Sequence, residues 1–448
     1  MSVAADDPDA PAAELPIMGV TEREHVVTVF NSTQAHLAQE RSCLHELFQQ
    51  HARRQPDALC LACGDATLTY GEVNHPKPRP QTGCMACLRP CACVPAIPVR
   101  AHLQRLVLRG GLLAAVCNVG RACLPDALMA AAAAQVDART NQLAHHLIAQ
   151  GVSLGSAVGL LLEPSADAVI AMLAVLKAGC CYVPLQQHRS DAALALIAED
   201  ASLAEVIAHR GLQRRLPAGR KIKVVLLDDP AEEAMVWRRP ARCPGRRAAP
   251  VDAAFVLFKQ AADAVRPTGI VHQHEGLADM IDGLVHMAGS GPSEVQPRVP
   301  LASPLTEHAA ALEVWTPLTQ GGALVVARPE FELDATYFAG LLASAGATAA
   351  YFTAELLESA VETGALAEAA RTLRCLWVSD PLRPGAAEAL FALLPDAWLV
   401  LGYGLLEATP FVTAAVLRKG DAPVGAPIGR PLVNMRARPL FSQLSSTG

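Results

Sequence analysis

Short apolar runs alternate with segments of helical periodicity from residue 157 onward. Apolar runs of about four to eight residues are typical of strands buried on both faces, and they predict strands at residues 157–162, 181–185, 206–208, 223–227, 253–258, 323–327, 349–352, 375–379 and 398–401. The segments between them predict helices at residues 167–177, 192–200, 333–344 and 386–394. This alternation predicts an α/β protein whose mostly parallel sheets are layered with helices, and such sheets bind ligands beyond the carboxyl ends of their strands.

The pattern is interrupted once, near the amino terminus. Residues 68–72 indicate the end of a strand and the start of a helix, and the natural continuation of that helix is Val136 rather than Val73. The residues between, 73–135, are rich in Pro and Arg, end in a run of Ala, and contain six of the 13 cysteines. We therefore expect residues 43–72 and 136–439 to form one domain that carries residues 73–135 as an insertion.

The insertion has two interpretations. Val73 has codons that all begin with GU and Gln135 has a codon CAG, which are the usual ends of an intron, so the first interpretation is a translated intron. The second is a zinc module that uses four closely spaced thiolates: Cys84, Cys87, Cys91 and Cys93. The second pair of cysteines is too close for the usual zinc knuckle, so we favour misplaced sequence over zinc.

Composition narrows the class of protein. The 448 residues are 52% hydrophobic and 18% charged, which indicates a globular chain, and the net charge of −6 gives no reason to expect nucleic acid as a partner. The first residues lack the order of a signal peptide, and no apolar stretch reaches the ~20 residues that a membrane helix needs. We expect no membrane partner, a cytoplasmic location, a disordered acidic segment at residues 1–20 and a tail at 440–448. The pair His145-His146 is expected on a solvated helix edge.

Three sequence motifs connect the chain to a known family. They are LKAGCCYVPL at residues 176–185, EVWTPL at 313–318 followed by Gly321-Gly322, and PIGRP at 427–431. In this order and spacing, together with LTYGE joined to VDARTNQLA across the insertion, they resemble the adenylation domains of nonribosomal peptide synthetases, within the AMP-dependent synthetase-ligase superfamily. Residues 21–42 are similar to the linker that precedes such domains.

The resemblance implies a fold, a reaction and partners. The fold is the large N-terminal portion of an adenylate-forming enzyme. In the reaction, a small carboxylic or amino acid attacks the α-phosphate of ATP, pyrophosphate leaves with magnesium, and an acyl-adenylate remains bound. The implied partners are other synthetase domains or a carrier protein.

The resemblance also places a nucleotide site. Tyr403-Gly404-Leu405-Leu406-Glu407 matches the family's Tyr-Gly-Pro-Thr-Glu, in which the tyrosine stacks near adenine and the glutamate, here Glu407, ligates magnesium. Asp380 belongs to a turn that replaces a Ser-Gly-Glu turn beside the adenine. Thr268 and Gly269 align with the end of the phosphate loop, and Thr268 stands where the family has a lysine.

The same alignment places a substrate pocket. The aspartate that holds the α-ammonium group of an amino acid falls at His308, and an imidazole pairs poorly with an ammonium group. The other positions that the alignment assigns to the pocket are mainly apolar and favour a hydrophobic substrate: Ala309, Leu312, Trp377, Gly402, Pro410 and Phe411.

Several family groups are not found. After Pro431 we find neither the Thr-Gly-Asp segment that holds the ribose, nor the small mobile domain with its lysine, nor a thiolation domain with a phosphopantetheine serine. The phosphate-loop stretch 258–269 matches the family only at its end, residues 266–269, and lacks the other hydroxyl residues and glycines that cradle phosphate. We therefore expect impaired catalysis in this chain, and the alternative is a non-catalytic pseudoenzyme or scaffold that retains the fold.

Overall fold

The computed structural model describes residues 42–63, 66–69, 136–217, 221–259, 266–287, 296–327, 334–421 and 427–436. The insertion 73–135 with its candidate zinc ligands lies outside these residues, and so do the terminal segments 1–20 and 440–448 and residues 260–265 of the phosphate-loop stretch. The described residues fall into two compact units. The larger contains the described residues within 44–269 and 296–332, and the smaller contains those within 270–295 and 333–448 together with residues 42 and 43.

The helices and strands follow the order that the sequence predicts. The strands are β1 Leu59–Cys63, β2 Ala66–Thr69, β3 Ala157–Leu161, β4 Cys181–Pro184, β5 Glu205–Ala208, β6 Lys223–Leu226, β7 Ala253–Lys259, β8 Thr268–Gln273, β9 Arg298–Leu301, β10 Ala323–Val326, β11 Ala349–Phe352, β12 Cys375–Val378, β13 Trp398–Tyr403, β14 Thr413–Leu417 and β15 Arg430–Pro431. The helices are α1 Leu44–Arg54, α2 Val136–Gln150, α3 Ala166–Lys177, α4 Asp191–Asp200, α5 Pro230–Trp237, α6 His274–Met287, α7 His308–Thr319, α8 Ala335–Ala345, α9 Ala354–Glu362 and α10 Ala386–Leu393, with 3₁₀ turns at Gln213–Arg215 and Ala365–Arg371.

Polar side chains start several of these helices. The Ser165 hydroxyl accepts a hydrogen bond from the Ala168 amide at 3.1 Å at the start of α3, and the Asp334 carboxylate accepts one from the Tyr337 amide at 2.6 Å at the start of α8. Such caps satisfy amides of the first helical turn, which have no partner within the helix. The local sequence therefore fixes where these helices begin.

Two sheets organise the larger unit. One has the strand order β6-β5-β3-β4-β7-β8, and the pairs from β6 through β7 are parallel. The other has the order β2-β1-β10-β9, in which only the β1–β2 pair is antiparallel. The unit boundary falls within β8, between residues 269 and 270. The prediction of mostly parallel, helix-covered sheets is confirmed.

The smaller unit contains a mixed sheet of order β11-β12-β13-β14-β15. The strands β11, β12 and β13 run parallel, whereas β14 and β15 continue the sheet antiparallel. Among the described residues, no helix combines the length and the apolar character that a membrane crossing requires.

A buried ionic cluster lies within the larger unit. Lys177, at the end of α3, is almost completely buried, and its ammonium group contacts the carboxylate of Asp137, the hydroxyl of Thr140 at 2.6 Å and the amide oxygen of Asn141 at 2.9 Å. The ammonium nitrogen also lies 5.3 Å from the ring centroid of Phe48. A charge buried this deeply is tolerated only when it is paired and hydrogen-bonded, so the cluster fixes α2 against α3.

The prediction of a solvated His145-His146 edge is wrong for His146. Its side chain is buried where α2 packs on α5, and its Nε2 lies 2.7 Å from the Glu232 Oε1. Burial lowers the pKa of His146, because the charged imidazolium loses its hydration, while Glu232 opposes this shift. Ten of the 15 residues of α2 are buried, including polar ones such as Asn141 and Gln142, so α2 is buried on more than one side.

Candidate functional site

The candidate residues divide between the two units. Thr268, Gly269 and the pocket residues His308, Ala309 and Leu312 belong to the larger unit. The remaining candidates belong to the smaller unit: Trp377, Asp380, Gly402, Tyr403, Gly404, Glu407, Pro410 and Phe411.

In the smaller unit, the parallel strands β11, β12 and β13 end at one edge of the sheet. Trp377 of β12 pairs in register with Tyr351 on one side and Val400 on the other. The Tyr351 hydroxyl and the Ser379 hydroxyl lie 2.7 Å apart, so a hydrogen bond joins β11 to the turn after β12. Asp380 follows in that turn and is exposed. Sheets of this kind bind ligands at this edge, and the candidate residues that follow β12 and β13 start there.

The segment after β13 presents an aromatic ring and a carboxylate. Tyr403 is 47% exposed, and its carbonyl accepts a hydrogen bond from the Val412 amide at 2.8 Å. Glu407 is exposed in the turn that follows. A Cβ at Gly404 would lie 2.3 Å from the Pro410 carbonyl oxygen, so the close approach of the two backbone segments requires glycine there. An accessible aromatic face and a carboxylate suit a base and a hard cation respectively.

The candidate pocket residues of this unit are buried. Trp377 is 4% exposed and Phe411 is completely buried, with its amide 3.4 Å from the Met280 sulfur. A Cβ at Gly402 would lie 2.2 Å from the Phe411 ring. The Phe411 ring therefore occupies the space directly over Gly402, and within this unit both aromatic side chains contribute to the core.

In the larger unit, α7 holds the other pocket candidates. The helix begins at His308, which is partly exposed, and Ala309 and Leu312 are buried against the unit's core. The position therefore offers a partly accessible imidazole to a ligand and no carboxylate.

A buried carboxylate anchors α7, and its burial could not be predicted from the sequence pattern. Glu313 is completely buried and accepts hydrogen bonds from the Ala302 amide at 3.0 Å, the Ser303 amide at 2.9 Å and the Ser303 hydroxyl at 2.9 Å. Burial raises the pKa of Glu313 to about 7, although these hydrogen bonds oppose the shift. Glu313 thus ties the helix that carries His308 to the segment after β9.

The ends of the phosphate-loop stretch have structural partners. Thr268 begins β8 with an exposed side chain, and a Cβ at Gly269 would lie 2.9 Å from the Phe258 ring, so Gly269 makes room for that ring. Arg266 pairs with Glu199, with Nη2 and Oε2 3.2 Å apart and both side chains largely exposed. The cation nearest Thr268 in sequence is therefore already paired with a carboxylate.

Comparison with known proteins gives a consistent result. Residues 132–440 match the profile of the AMP-binding enzyme family. The chain is 27% identical to phosphinothricin tripeptide synthetase PhsB of Streptomyces viridochromogenes over 99% of its own length and 32% of that protein. It is 26% identical to surfactin synthase subunit 2 of Bacillus subtilis over 96% of its length and 10% of that protein. The chain thus spans a third or less of these relatives.

Solved structures with the same fold agree. The nonribosomal peptide synthetase FmoA3, solved with AMPPNP bound, has a TM-score of 0.69 at 21% identity and covers 95% of this chain and 39% of that chain. The N-terminal subdomain of Klebsiella oxytoca NpsA has a TM-score of 0.62 at 18% identity and covers 88% of this chain and 82% of that chain. At these identities the likeness establishes the fold alone.

Proposed function

Since the chain belongs to the AMP-binding enzyme family and has the sequence motifs and the fold of a nonribosomal peptide synthetase adenylation domain, we propose that it binds ATP and a small carboxylic acid and that acyl-adenylate formation by this polypeptide is impaired. One observation carries the proposal. Thr268 stands where the phosphate loop of the family has a lysine, and its exposed hydroxyl offers no charge to the phosphates.

The proposed nucleotide site uses the edge of the smaller unit's sheet. The exposed ring of Tyr403 would stack near the adenine, with Asp380 beside it, and the Glu407 carboxylate would ligate Mg²⁺, which prefers carboxylate oxygens. Gly404 would preserve the backbone conformation that exposes the side chains of Tyr403 and Glu407. Leu406 replaces the hydroxyl residue of the family motif, so this segment loses one contact to phosphate.

The proposed substrate is a carboxylic acid without an α-ammonium group. His308 stands at the family's ammonium-binding position, where its imidazole replaces the carboxylate that would bind an ammonium group. An aryl or hydroxy acid lacks that group and so does not need the missing aspartate. The mainly apolar pocket candidates, such as Leu312 and Trp377, favour a hydrophobic side chain.

The size of the impairment follows from general magnitudes. Removal of one preorganised group that stabilises developing charge typically lowers the rate by about 10²–10³, which is ~2.7–4 kcal/mol. Both the loop lysine and the threonine of the Tyr-Gly-Pro-Thr-Glu motif are replaced, at Thr268 and Leu406. Such losses do not add simply, but together they place turnover near the detection limit.

ATP–pyrophosphate exchange with a panel of amino acids and aryl acids tests this proposal. We expect exchange by the unaltered chain close to that of a Glu407→Ala control. We expect Thr268→Lys to raise exchange by about tenfold or more, since it restores one charge-stabilising group. Gln273→Lys, which adds the same charge at an exposed position of β8, is the matched control.

The outcomes separate the alternatives. Exchange well above the Glu407→Ala control in the unaltered chain contradicts the impairment. Failure of magnesium-dependent ATP binding in both the unaltered chain and the Thr268→Lys variant contradicts nucleotide binding and favours a non-catalytic scaffold.

We further propose that the chain works in the cytoplasm beside other synthetase domains or a carrier protein. The described cysteines are free thiols, as expected of a chain in a reducing compartment, and the relatives it matches are much longer than this chain.

A further inference from the structure

A cleft in the larger unit lies apart from every candidate residue of the nucleotide and substrate sites. It opens between α2, α3 and α5, at the carboxyl end of β6, where Leu226 and Leu227 contribute to its wall. The cleft encloses about 450 Å³ and is partly open to solvent. That space holds a few waters or the head of a small ligand.

A buried acceptor without a donor lines this cleft. Gln142 is 8% exposed, and its Nε2 donates to the Trp237 carbonyl at 3.0 Å, which fixes the amide orientation. Its Oε1 is buried and has no hydrogen-bond partner among the residues that the structure describes. A buried polar atom left unsatisfied is costly, so a ligand that donates an N–H group to it has a specific advantage.

The charged groups of the lining also favour a donor. One cation, Arg139, and two carboxylates, Asp167 and Glu233, line the cleft. Arg139 donates to Asp167 at 3.4 Å, and its guanidinium carbon lies 5.7 Å from the centroid of the Trp237 ring. Glu233 accepts a hydrogen bond from the Trp237 indole at 3.3 Å. Because Arg139 faces Asp167, the charge of Glu233 is not balanced within the lining. The Glu233 carboxylate can also accept further hydrogen bonds.

The rest of the lining is apolar or aromatic. Leu143, Ile170 and Val236 provide aliphatic walls, and the indole of Trp237 is 37% exposed at the rim. Aliphatic walls suit an alkyl chain, and an aromatic face attracts a cation. An anion fits poorly, because the one cation of the lining is engaged with a carboxylate.

We propose that this cleft binds a primary alkylammonium group. Its N–H groups donate to the Gln142 Oε1 and the Glu233 carboxylate, and its alkyl chain lies along the aliphatic walls beside Trp237. A free amine and the lysine side chain of a partner protein share this chemistry. The proposal is independent of the nucleotide site and of any catalysis by the chain.

Saturation-transfer difference NMR with n-butylammonium tests the proposal, because it detects millimolar binding directly on the ligand signals. We expect saturable transfer with a millimolar dissociation constant, and little transfer to butan-1-ol, which has the same chain without the charge. Glu233→Gln is expected to weaken binding about tenfold and Gln142→Leu by a similar factor. Glu388→Gln, at an exposed glutamate in the first turn of α10, is the matched control and should bind as the unaltered chain does.

A second arm uses Nα-acetyl-lysine methylamide. Binding of this compound assigns the site to a partner's lysine, whereas binding of n-butylammonium alone assigns it to a free amine. The proposal is overturned by no transfer to either amine, by equal transfer to butan-1-ol, or by equal affinity of the Glu233→Gln and Glu388→Gln variants. Circular dichroism of each variant establishes that it is folded.

Discussion

At the scale of single residues, Lys177 shows how a family motif can carry structure. The lysine of LKAGCCYVPL meets Asp137, Thr140 and Asn141, which are among the first residues after the insertion. Asn141 also donates to the Ala241 carbonyl at 2.7 Å, so the cluster reaches the loop before β7. The motif indicates a family. The burial of Lys177 shows that, in this chain, the lysine of the motif also holds the fold together.

Replacement of Lys177 should destabilise the larger unit strongly. Lys177→Met leaves the buried Asp137 carboxylate without its cation, and we expect a loss of about 3–5 kcal/mol in the free energy of unfolding, measured by urea denaturation. Adding Asp137→Asn removes the uncompensated charge and should restore part of the loss. Lys221→Met, at an exposed lysine, is the control and should change stability by less than about 0.5 kcal/mol. Equal effects of Lys177→Met and Lys221→Met on stability would show that the ionic cluster does not stabilise the unit.

Glu313 should make stability depend on pH in an unusual direction. Burial raises its pKa to about 7, so the folded chain binds this proton more tightly than the unfolded chain, whose carboxyl has a pKa of 4.5. The contribution of Glu313 is therefore fully present below about pH 4.5 and is lost as the pH rises to about 7, by roughly 3 kcal/mol.

The measurement is the difference in unfolding free energy between the unaltered chain and Glu313→Gln from pH 4.5 to 8. We expect the unaltered chain to lose stability relative to Glu313→Gln as the pH rises across this range, and the difference to level off above pH 7. Glu388→Gln, at an exposed glutamate, should leave the pH profile unchanged. A flat difference would show that Glu313 titrates at its ordinary pKa in the folded chain.

At the scale of elements, the strands and helices could be predicted because the apolar runs are short and well separated. The strand prediction 349–352 coincides with β11, and the helix prediction 192–200 differs from α4 by one residue. The pairing of strands could not be predicted, because β1 lies beside β10 across more than 250 residues of sequence and periodicity carries no information on such neighbours. The burial of His146 was missed for a related reason, since α5 packs over it from a distant part of the chain.

Strand β13 should tolerate no side chain at Gly402. An added Cβ would lie 2.2 Å from the Phe411 ring, so Gly402→Ala should lower stability by about 1–3 kcal/mol through overpacking. Gly340→Ala, inside α8 where nothing lies within 4 Å of the added Cβ, should instead raise stability by up to about 1 kcal/mol. Urea denaturation measures both changes. Adding Phe411→Leu to Gly402→Ala should recover part of the lost stability. No recovery would mean that the added methyl group clashes with a different neighbour.

At the scale of the whole molecule, the family motifs place candidate residues in both units. The residues around Thr268 and His308 belong to one unit, and those from Trp377 to Phe411 belong to the other. The order of family motifs assigned roles to both groups, which no local pattern could do. The structure adds what the motifs could not contain, namely that Phe411 fills the space over Gly402 and that Arg266 pairs with Glu199.

Residues 73–135 should be dispensable for folding. The helix α2 begins at Val136, directly after residues 73–135, and its contacts to Lys177, to the Ala241 carbonyl and to the Trp237 carbonyl all involve residues that follow the insertion. These contacts among the described residues hold the helix in place. We therefore expect a chain that lacks these residues, with Glu72 joined to Val136, to fold.

Urea denaturation of this shortened chain should show a cooperative transition with an unfolding free energy equal to or above that of the full chain, because a shorter connection costs less entropy to close. A chain that lacks residues 136–150 is the control and should not fold, since it loses the partners of the buried Lys177. If the shortened chain precipitates or unfolds without cooperativity, residues 73–135 contribute to the fold and are not a dispensable insertion. A cooperative transition instead would mean that the two flanking segments form one domain by themselves.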